Sequence, residues 1–257
     1  MNLLETVNLK RYFGDTRAVD NVSLTIAEGE FISLVGPNGA GKTSLCNVVS
    51  AYLSADSGRI LFKGADVTHA SIVERVRAGI ARSFQLVNLF DDLSAFDNVA
   101  LAIFSRERKI RNPARLAHLD RTVTGEADAV LGQFGLSGKR NGKARDLAQG
   151  ERKLLDVALA YALRPKLLFL DEPTSGVSTH DKAQIMDTIA SVVRREGITA
   201  VIIEHDMDVV FKYSDRIVVM HQGAILAQGT PDEIRRNEQV ALILLGTSGP
   251  DAFSRQE

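Results

Sequence analysis

An eight-residue run between two apolar stretches is the tightest constraint on the fold. Residues 36–43 read Gly-Pro-Asn-Gly-Ala-Gly-Lys-Thr, which fits the pattern Gly-x-x-x-x-Gly-Lys followed by Ser or Thr. Residues 31–35 before it resemble a buried strand, and residues 44–50 after it suit a helix. Glycines here let successive backbone N–H groups converge on phosphate oxygens, and the helix start adds positive potential. The run predicts a phosphate loop in an α/β fold.

The residues of this loop have distinct expected tasks. Lys42 supplies a point charge to the β- and γ-phosphates of a nucleotide, and the hydroxyl of Thr43 is placed to ligate Mg²⁺. We therefore expect ATP and Mg²⁺ as cofactors. The residues predicted to bind the nucleotide are Asn38, Gly39, Ala40, Gly41, Lys42, Thr43 and Ser44.

A pair of acidic residues closes a later apolar run. Residues 167–172 read Leu-Leu-Phe-Leu-Asp-Glu, so two carboxylates follow four apolar side chains. In open α/β sheets the ligand crevice lies at the carboxyl ends of the strands. Asp171 is therefore expected to support the Mg²⁺ shell, and Glu172 to act as general base toward the attacking water. The alternative is a solvated Asp-Glu pair that only closes a strand.

The remaining chain alternates between β-rich and helical character. Helical patterns run over about residues 97–143, with breaks expected at Pro113 and Gly125, and again over residues 181–195. A helical stretch between strand-forming regions predicts a parallel α/β sheet with a helical insertion. Strands are expected at residues 22–26, 31–35, 58–63, 167–170, 200–204, 216–220 and 224–227, with a hairpin turn at Gln222 and Gly223.

Composition excludes several classes of function. The 257 residues carry a formal net charge of −1 at pH 7, which argues against a broad nucleic-acid-binding surface. The longest apolar stretches have strand length, well below the roughly 20 residues that cross a bilayer, and the amino terminus lacks the pattern of a secretion signal. The one cysteine, Cys46, cannot form an internal disulfide. We expect a cytoplasmic chain whose contact with any membrane is peripheral.

A third motif lies between the phosphate loop and the acidic pair. Residues 147–153 read Leu-Ala-Gln-Gly-Glu-Arg-Lys, which resembles the Leu-Ser-Gly-Gly-Gln signature of ATP-binding cassette (ABC) proteins. The resemblance implies that this segment opens a helix and presents N–H groups to the γ-phosphate held by a second subunit. Two chains, identical or different, would then enclose two nucleotides. The residues expected to bind nucleotide in trans are Ala148, Gln149, Gly150 and Glu151.

The same resemblance assigns three single residues. Phe13, before Gly14, matches the aromatic residue that stacks on adenine, with core packing as the alternative. Gln85 matches the glutamine that contacts Mg²⁺ and the attacking water, with a solvated glutamine as the alternative. His205 matches the switch histidine, whose imidazole bonds the γ-phosphate and orients the Glu172 machinery, with a buried or capping histidine as the alternative.

The resemblance covers residues 3–246 as one ABC ATPase domain. It implies a P-loop NTPase core with a parallel sheet, an N-terminal antiparallel β subdomain and a helical subdomain inserted at about residues 90–160. A flexible tail is expected at residues 247–257. Ala-Arg-Ser-Phe-Gln at residues 81–85 and Glu-His-Asp-Met at residues 204–207 favour the importers of branched-chain amino acids.

The importer type implies several partners. They are a second ATPase subunit, transmembrane permease subunits and a substrate-binding protein, and nucleic acid is not expected; the chain would sit on the inner face of the cell membrane. Apolar residues in the range 86–96 are assigned by resemblance to a membrane partner, with core packing as the alternative. A solvated helix face is preferred over contact with anionic lipid for the basic cluster Arg106, Arg108, Lys109, Arg111 and Arg115.

Three residues depart from the family pattern. Ala148 lacks the hydroxyl of the usual serine, Gln149 replaces a glycine, and Ser178 stands where an aspartate often couples the two sites. An ATP-driven dimerising module with little turnover is therefore an alternative to a hydrolysing transporter subunit. Two further functions stay open: an ABC ATPase of a different transport system, such as lipopolysaccharide export, and a soluble ATPase that acts on nucleic acid or ribosomes.

Overall fold

A computed structural model describes residues 1–83, 89–108, 120–246 and 253. Within these residues the strands, in chain order, are β1 Asn2–Phe13, β2 Thr16–Ala27, β3 Phe31–Val35, β4 Ser57–Phe62, β5 Ala65–Asp66, β6 Ile80–Arg82, β7 Leu167–Asp171, β8 Thr199–Ile203, β9 Arg216–His221 and β10 Ala224–Gly229. The helices are α1 Lys42–Val49, α2 Ile72–Ala78, α3 Ala95–Arg106, α4 Arg121–Gln133, α5 Gln149–Ala162, α6 Thr179–Arg195, α7 Met207–Tyr213, α8 Pro231–Arg235 and α9 Glu238–Leu245.

Two compact units make up the fold. One joins Met1–Ala78 with Thr199–Glu257, and we call it the phosphate-loop unit because it contains residues 36–43. The other, Gly79–Ile198, interrupts the first in sequence, and we call it the inserted unit. The phosphate-loop unit is therefore built from two segments that are separate in the sequence, whereas the inserted unit is continuous.

An antiparallel sheet in the order β2, β1, β4, β5 forms the amino-terminal part of the phosphate-loop unit. In β2, buried and exposed side chains alternate from Asn21 to Ala27, as in a sheet with one face in the core. β1 is not among the strands predicted from the sequence. Its pairing with β2 shifts register several times, for example between Thr6 and Leu9, so its apolar side chains do not alternate regularly.

Parallel strands carry the rest of this unit. β3 pairs with β8 and β9 in parallel, and β9 pairs with β10 as an antiparallel hairpin. Every residue of β3 and β8 is buried, as expected for strands covered on both faces. The predicted hairpin turn is confirmed, because Gln222 and Gly223 have φ angles of 47° and 81°, which a two-residue type I′ turn requires. The predicted strand at residues 200–204 ends one residue earlier, at Ile203.

Three short carboxyl-terminal helices pack on these strands. The predicted helix start at Pro231 is confirmed: the Thr230 side chain accepts a hydrogen bond from the Glu233 N–H, and Glu233 bonds the Thr230 N–H in return. In the tail region only Phe253 is described, and its ring centroid lies 5.2 Å from that of Phe211. The core of this part contains Val35, Val210, Ile217, Val219, Ile234 and Val240.

Among its described residues, the inserted unit combines the strand pair β6 and β7 with the α-helices α3, α4, α5 and α6. β6 and β7 pair in parallel, with Arg82 opposite Phe169. Phe96 of α3 is fully buried, so core packing holds for this residue of the 86–96 range, and residues 86–88 lie outside the described residues. The break expected at Gly125 is wrong, because α4 runs through it. One glycine costs a helix about 1 kcal/mol, and burial of Val123 and Ala127 on either side offsets that cost.

Helix α6 is the longest in the described ranges, with 17 residues. Ser178 caps it by accepting a hydrogen bond from the Asp181 N–H at 3.2 Å. Its buried side chains, among them Ile185, Ile189 and Val192, recur at helical spacing and leave the opposite face exposed. Within the residues that the structure describes, no helix is long and apolar enough to span a membrane.

Candidate nucleotide site

Residues 36–43 leave the end of β3 and enter α1 directly. At Gly36 a Cβ atom would lie 2.3 Å from the carbonyl oxygen of Met220, and at Gly41, where φ is 100°, it would lie 2.1 Å from that of Ala18. Real Cβ atoms do not approach oxygen so closely, so only glycine fits either place. The loop can therefore curl tightly against the surrounding backbone before α1 begins.

Backbone hydrogen bonds fix the shape of the loop. The Ala40 N–H donates to the Pro37 carbonyl at 3.1 Å, and the Gly223 N–H donates to the Ala40 carbonyl at 3.0 Å. Among the described residues no side chain caps α1, whose N-cap is Gly41, and its first turn contains no acidic residue. The amides of the first turn and the positive end of the helix dipole therefore favour an anion there.

Lys42 is 6% exposed and lies against its own loop. Its ammonium donates to the carbonyl oxygens of Gly36 at 2.7 Å and Pro37 at 3.1 Å, which compensates for the burial of the charge. The charge is thereby held against the two carbonyls that open the loop. Ala40 is buried as well, whereas the residues that remain exposed or half-exposed are Asn38, Gly39, Gly41, Thr43 and Ser44.

Phe13 stands at the end of β1 with 45% of its surface exposed. The guanidinium carbon of Arg11 lies 4.8 Å from its ring centroid, and Arg11 is itself paired with Asp56 at 2.9 Å. A cation on one face of an aromatic ring stabilises its position. Phe13 pairs with Thr16 across the β1–β2 turn, and Ala18, two residues further on, lies against the phosphate loop. The exposed ring thus stands on the hairpin that borders the loop.

A hydrogen-bond network connects this hairpin to the loop. The Tyr12 hydroxyl donates to Asp20 Oδ1 at 2.5 Å, and this bond lowers the pKa of Asp20 and raises the pKa of Tyr12. Arg17 also donates to Asp20, at 3.2 Å. The Asp20 N–H donates to the carbonyl of Gly223, which bonds the loop in turn. This network was not predicted from the sequence.

His205 lies two residues beyond the end of β8 and is exposed. Leu34 of β3 pairs with Ile203 of β8, so Gly36 and His205 leave the same edge of the parallel strands. The next residue, Asp206, caps α7 by accepting hydrogen bonds from the amides of its first turn. His205 therefore lies in a short segment between β8 and α7. This segment begins at the same edge of the parallel strands as the phosphate loop.

In the inserted unit, Asp171 is the last residue of β7 and its side chain is 2% exposed. One of its oxygens, Oδ2, accepts a hydrogen bond from Arg82 Nη2 at 2.6 Å. The other, Oδ1, is buried and has no hydrogen-bond partner among the described residues. An unsatisfied buried carboxylate oxygen is costly unless a ligand completes its contacts. The atom suits a metal ion or its bound water.

Glu172 follows in a left-handed backbone conformation, with φ at 47°. Such a conformation costs a residue other than glycine of order 1 kcal/mol or more and persists where neighbouring contacts enforce it. Lys153, which is 5% exposed, supplies such a contact. Its ammonium donates to the Glu172 carbonyl at 3.2 Å and to Ser175 Oγ at 3.0 Å. A cation from α5 therefore holds the peptide of the expected general base.

The signature-like segment opens α5, as expected. Ala148 is the N-cap, and Glu151 accepts a hydrogen bond from the Ala148 N–H at 2.9 Å. Ala148 has no side-chain oxygen, so it leaves the first-turn amides to other acceptors. Gln149 is exposed, and its side-chain nitrogen lies 2.8 Å from where a Cβ of Gly176 would stand.

The two units divide the predicted site residues between them. The phosphate-loop unit brings together Phe13, Asn38, Gly39, Ala40, Gly41, Lys42, Thr43, Ser44 and His205. The inserted unit contains Ala148, Gln149, Gly150, Glu151, Asp171 and Glu172. Gln85 lies outside the described residues.

Known proteins match this arrangement. The sequence profile of the family described as "ABC transporter" matches residues 19–175, a span that contains the phosphate loop, the signature-like segment and the acidic pair. The chain is an ABC transporter ATPase. As a member of this family it binds and hydrolyses ATP, and the expected fold, a P-loop NTPase core with an antiparallel β subdomain and inserted helices, is confirmed.

Several relatives match this ABC ATPase from end to end. The branched-chain amino acid transport ATP-binding protein LivG of Salmonella typhimurium is 35% identical over 254 residues, covering 95% of this chain and 98% of LivG. BraF of Pseudomonas aeruginosa, described in the same words, is 34% identical over 253 residues, with the same coverage. The crystal structure of the ADP conformation of MJ1267, an ATP-binding cassette, has a TM-score of 0.85 at 30% identity and covers 96% of this chain and 100% of MJ1267.

Arg82 and Lys153, which bond Asp171 and Glu172, were not predicted from the sequence as residues of the site. Arg82 ends a short apolar strand, and Lys153 lies on the buried face of α5, four residues before the buried Val157. A charged residue at a core position of a strand or helix is the signal that could have identified both. Arg106 of the basic cluster is not a free cation, because it pairs with Glu126 at 2.7 Å. Lys109, Arg111 and Arg115 lie outside the described residues.

A groove of about 400 Å³ lies in the inserted unit between α3 and α5. Phe90, 58% exposed, stands at its rim, where buried Asn98 bonds both the N–H and the carbonyl of Phe90. The polar lining residues are Arg82, Asn98, Ser105 and Asp156. The apolar ones are Phe90, Leu101, Ala102, Leu159, Ala160 and Leu163.

Proposed function

We propose that this ABC ATPase powers the uptake of branched-chain amino acids or a related small solute. The observation that carries the proposal is the end-to-end similarity to proteins named as branched-chain amino acid transport ATP-binding proteins, at 34% and 35% identity over 95% of the chain. The runs at residues 81–85 and 204–207 support the same branch. These names favour uptake over the alternative of lipopolysaccharide export.

Mg²⁺ is the proposed metal. Thr43 offers a hydroxyl at the start of α1, and Asp171 offers a buried Oδ1 that lacks a hydrogen-bond partner within the described ranges. Hydroxyl and carboxylate oxygens, together with nucleotide phosphates and water, are the ligands that Mg²⁺ takes in such sites. When bound, the ion neutralises charge on the phosphates that separate. Gln85 is the third expected contact.

The chain's own residues perform the remaining steps. Glu172 accepts the proton of the attacking water as general base. Lys42 and the uncapped amides of α1 take up the negative charge of the phosphates. His205 bonds the γ-phosphate from the neighbouring strand end, and Phe13 stacks on the adenine. Hydrolysis then needs no residue that forms a covalent intermediate.

The active form is a dimer of identical or different ATPase subunits. The start of α5 in one subunit, from Ala148 to Glu151, supplies amides to the γ-phosphate bound by the other. Ala148 and Gln149 are exposed, so the start of α5 is open to solvent. This exposure supports the proposed contact with a nucleotide bound by the other subunit. Ser178 has a local role, because its hydroxyl caps α6 and donates to Asp181 at 2.7 Å.

The groove of the inserted unit receives a short cytoplasmic helix of a permease subunit. Its mainly apolar lining and the exposed Phe90 favour the apolar face of an amphipathic helix. Family membership supports this occupant, since ATPases of ABC transporters act with transmembrane subunits and no helix in the described ranges of this chain spans a membrane. A substrate-binding protein delivers the solute, and the chain sits on the inner face of the cell membrane.

Uptake by vesicles reconstituted with the permease subunits and the substrate-binding protein tests the proposal. We expect ATP on the cytoplasmic side to drive accumulation of radiolabelled leucine, and urea or an aromatic acid to be accumulated far less. The variant Phe90→Asp should reduce uptake strongly and leave the ATPase rate of the isolated subunit unchanged. Export of solute, or accumulation of urea in preference to leucine, would contradict the assigned direction or substrate.

A further inference from the structure

Arg82 and Asp171 form a buried ion pair at the ends of two neighbouring strands. The Nη2–Oδ2 distance is 2.6 Å, and the side chains are 7% and 2% exposed. The parallel register of β6 and β7 places Arg82 opposite Phe169, two residues before Asp171, so backbone pairing fixes where both side chains start. The Ser83 N–H also donates to the Phe169 carbonyl at 2.9 Å, which keeps the pairing intact beyond Arg82.

The pair divides the two oxygens of the carboxylate. Arg82 takes Oδ2, while Oδ1 is buried and lacks a hydrogen-bond partner in the described part of the chain. A buried ion pair is weak evidence of added stability, because desolvation offsets much of the attraction. It does, however, restrict rotation of the carboxylate. Oδ1 is therefore presented in one direction, as a metal-binding oxygen must be.

Arg82 also lines the groove of the inserted unit. Among the described lining residues the other charged side chain is Asp156, which belongs to α5 and is buried. The same arginine thus contacts the space that a docking segment would fill and the carboxylate expected at the metal. A shift of its guanidinium by an occupant would change the orientation of Asp171 directly.

We propose that Arg82 is a positioning residue that orients Asp171 toward the metal and transmits occupation of the groove to it. The inference rests on the proposed role of Asp171 at Mg²⁺. In this role Arg82 contacts Asp171, and it contacts neither the nucleotide nor the metal. Its effect is therefore expected in the metal dependence of nucleotide binding, before any hydrolysis.

The experiment measures the affinity of a fluorescent ATP analogue in Mg²⁺ and in EDTA, with Glu172→Gln present in every protein to prevent turnover. The dissociation constant in EDTA divided by that in Mg²⁺ reports the coupling of metal to nucleotide. A large ratio means that the metal strengthens nucleotide binding. We expect Arg82→Gln to reduce this ratio at least fivefold by weakening binding in Mg²⁺ only, and Arg82→Lys to restore most of it. Arg106→Gln, which breaks an arginine–carboxylate pair elsewhere in the inserted unit, is the matched control and should keep the ratio.

The outcomes separate this inference from the proposed function. If Mg²⁺ does not strengthen nucleotide binding in the parent protein, the proposed metal role fails and the inference fails with it. If Mg²⁺ strengthens binding equally in the parent and in Arg82→Gln, only the positioning role is overturned. A larger ratio in Arg82→Gln would overturn it too, since the arginine would then compete with the metal.

A double-mutant cycle tests the connection to the groove. Ala102→Trp fills the groove from α3 and serves as the occupant. We expect it to change the ratio of the dissociation constant in EDTA to that in Mg²⁺ at least twofold when Arg82 is present and not in the Arg82→Gln background, because coupled residues give non-additive effects. An equal change in both backgrounds would show that the groove acts on the metal site without Arg82.

Discussion

The phosphate loop and the acidic end of β7 both follow a buried parallel strand, but different forces hold them. The loop is shaped by backbone, since carbonyl oxygens press on Gly36 and Gly41 and leave no room for a side chain. The acidic pair is held by side chains: Arg82 bonds the Asp171 carboxylate, and Lys153 bonds the Glu172 carbonyl.

The two regions should therefore respond to different kinds of substitution. A backbone-built loop should fail when a methyl group is added and be less sensitive to charge, because its donors are backbone amides that every residue except proline supplies. A site held by cations should fold without them but lose its geometry, because those bonds position groups more than they add stability. Four substitutions, together with their controls, test these expectations: Gly41→Ala, Lys153→Met, Phe13→Ala and Glu126→Gln.

The largest effect is expected for Gly41→Ala. The new Cβ would meet the Ala18 carbonyl oxygen at 2.1 Å, so the backbone must move. We expect the free energy of unfolding to fall by about 3 kcal/mol or more and the affinity for ATP to fall beyond detection. Chemical denaturation and binding of a fluorescent ATP analogue measure the two quantities.

Gly39→Ala is the matched control for that loop prediction. Gly39 also has a positive φ, 79°, but no atom lies within 4 Å of the position of its Cβ. The substitution should cost only the left-handed backbone, about 1–2 kcal/mol. Equal losses of stability in the two variants would show that close backbone approach is not what shapes the loop.

Lys153→Met should reduce kcat about tenfold, since a hydrogen bond from a charged donor contributes roughly 1.5–3 kcal/mol and tenfold in rate corresponds to about 1.4 kcal/mol. The KM for ATP should stay within twofold, because the Lys153 ammonium bonds the peptide of Glu172 and the hydroxyl of Ser175. Lys153→Arg should restore part of the rate. Steady-state kinetics measure all three values.

The control for Lys153 is a lysine outside α5 that pairs with a residue of that helix. Lys139 is exposed and pairs at 3.1 Å with Glu151 in the first turn of α5. Lys139→Met should leave kcat unchanged. A rate loss in Lys139→Met as large as in Lys153→Met would mean that any charge removed near α5 slows the enzyme, and the assigned contact with Glu172 would be wrong.

Phe13→Ala should raise the KM for ATP about fivefold, in line with the roughly 1–3 kcal/mol that base–aromatic stacking contributes. The rate at saturating ATP should change less than twofold, since the ring is far in sequence from the acidic pair and acts on the base alone. Phe13→Tyr keeps an aromatic face and should restore the KM. An unchanged KM in Phe13→Ala would assign the ring to packing with Arg11 only.

The smallest effect is expected for Glu126, a carboxylate that pairs with Arg106 and is not among the predicted site residues. Hydrogen bonds from Arg106 lower the pKa of Glu126 below its ordinary 4.5. The pair therefore contributes stability that is present above about pH 4.5 and lost as the pH falls through the lower pKa of the folded state. Glu126→Gln should reduce the free energy of unfolding by at most about 1 kcal/mol at pH 7, and the difference from wild type should vanish once the pH lies below the lowered pKa of Glu126.

Urea unfolding at several pH values measures this difference, and the ATPase rate at pH 7 should be the same in both proteins. A difference that grows as the pH falls would have the wrong sign for a carboxylate of lowered pKa. A loss of ATPase rate would show that ion pairs of the inserted unit act on hydrolysis without touching the acidic pair.

The same contrast explains what the sequence could predict. The phosphate loop is a contiguous pattern, and β3, β7 and α6 follow from regular burial, so each was placed within about two residues. β1 was missed because bulges break its alternation. Arg82 and Lys153 were missed because their partners, Asp171 and Glu172, lie 89 and 19 residues away along the chain, and only the fold brings them together.

Steady-state phosphate release shows whether hydrolysis depends on Glu172. Purified wild type and Glu172→Gln are compared at saturating ATP with Mg²⁺, and binding of a fluorescent ATP analogue is measured in both. We expect release by the wild type, at least a 100-fold lower rate in the variant and equal nucleotide affinity. Equal release by both proteins would contradict the role of Glu172 as general base, and no release by the wild type even with its permease subunits would favour a dimerising module.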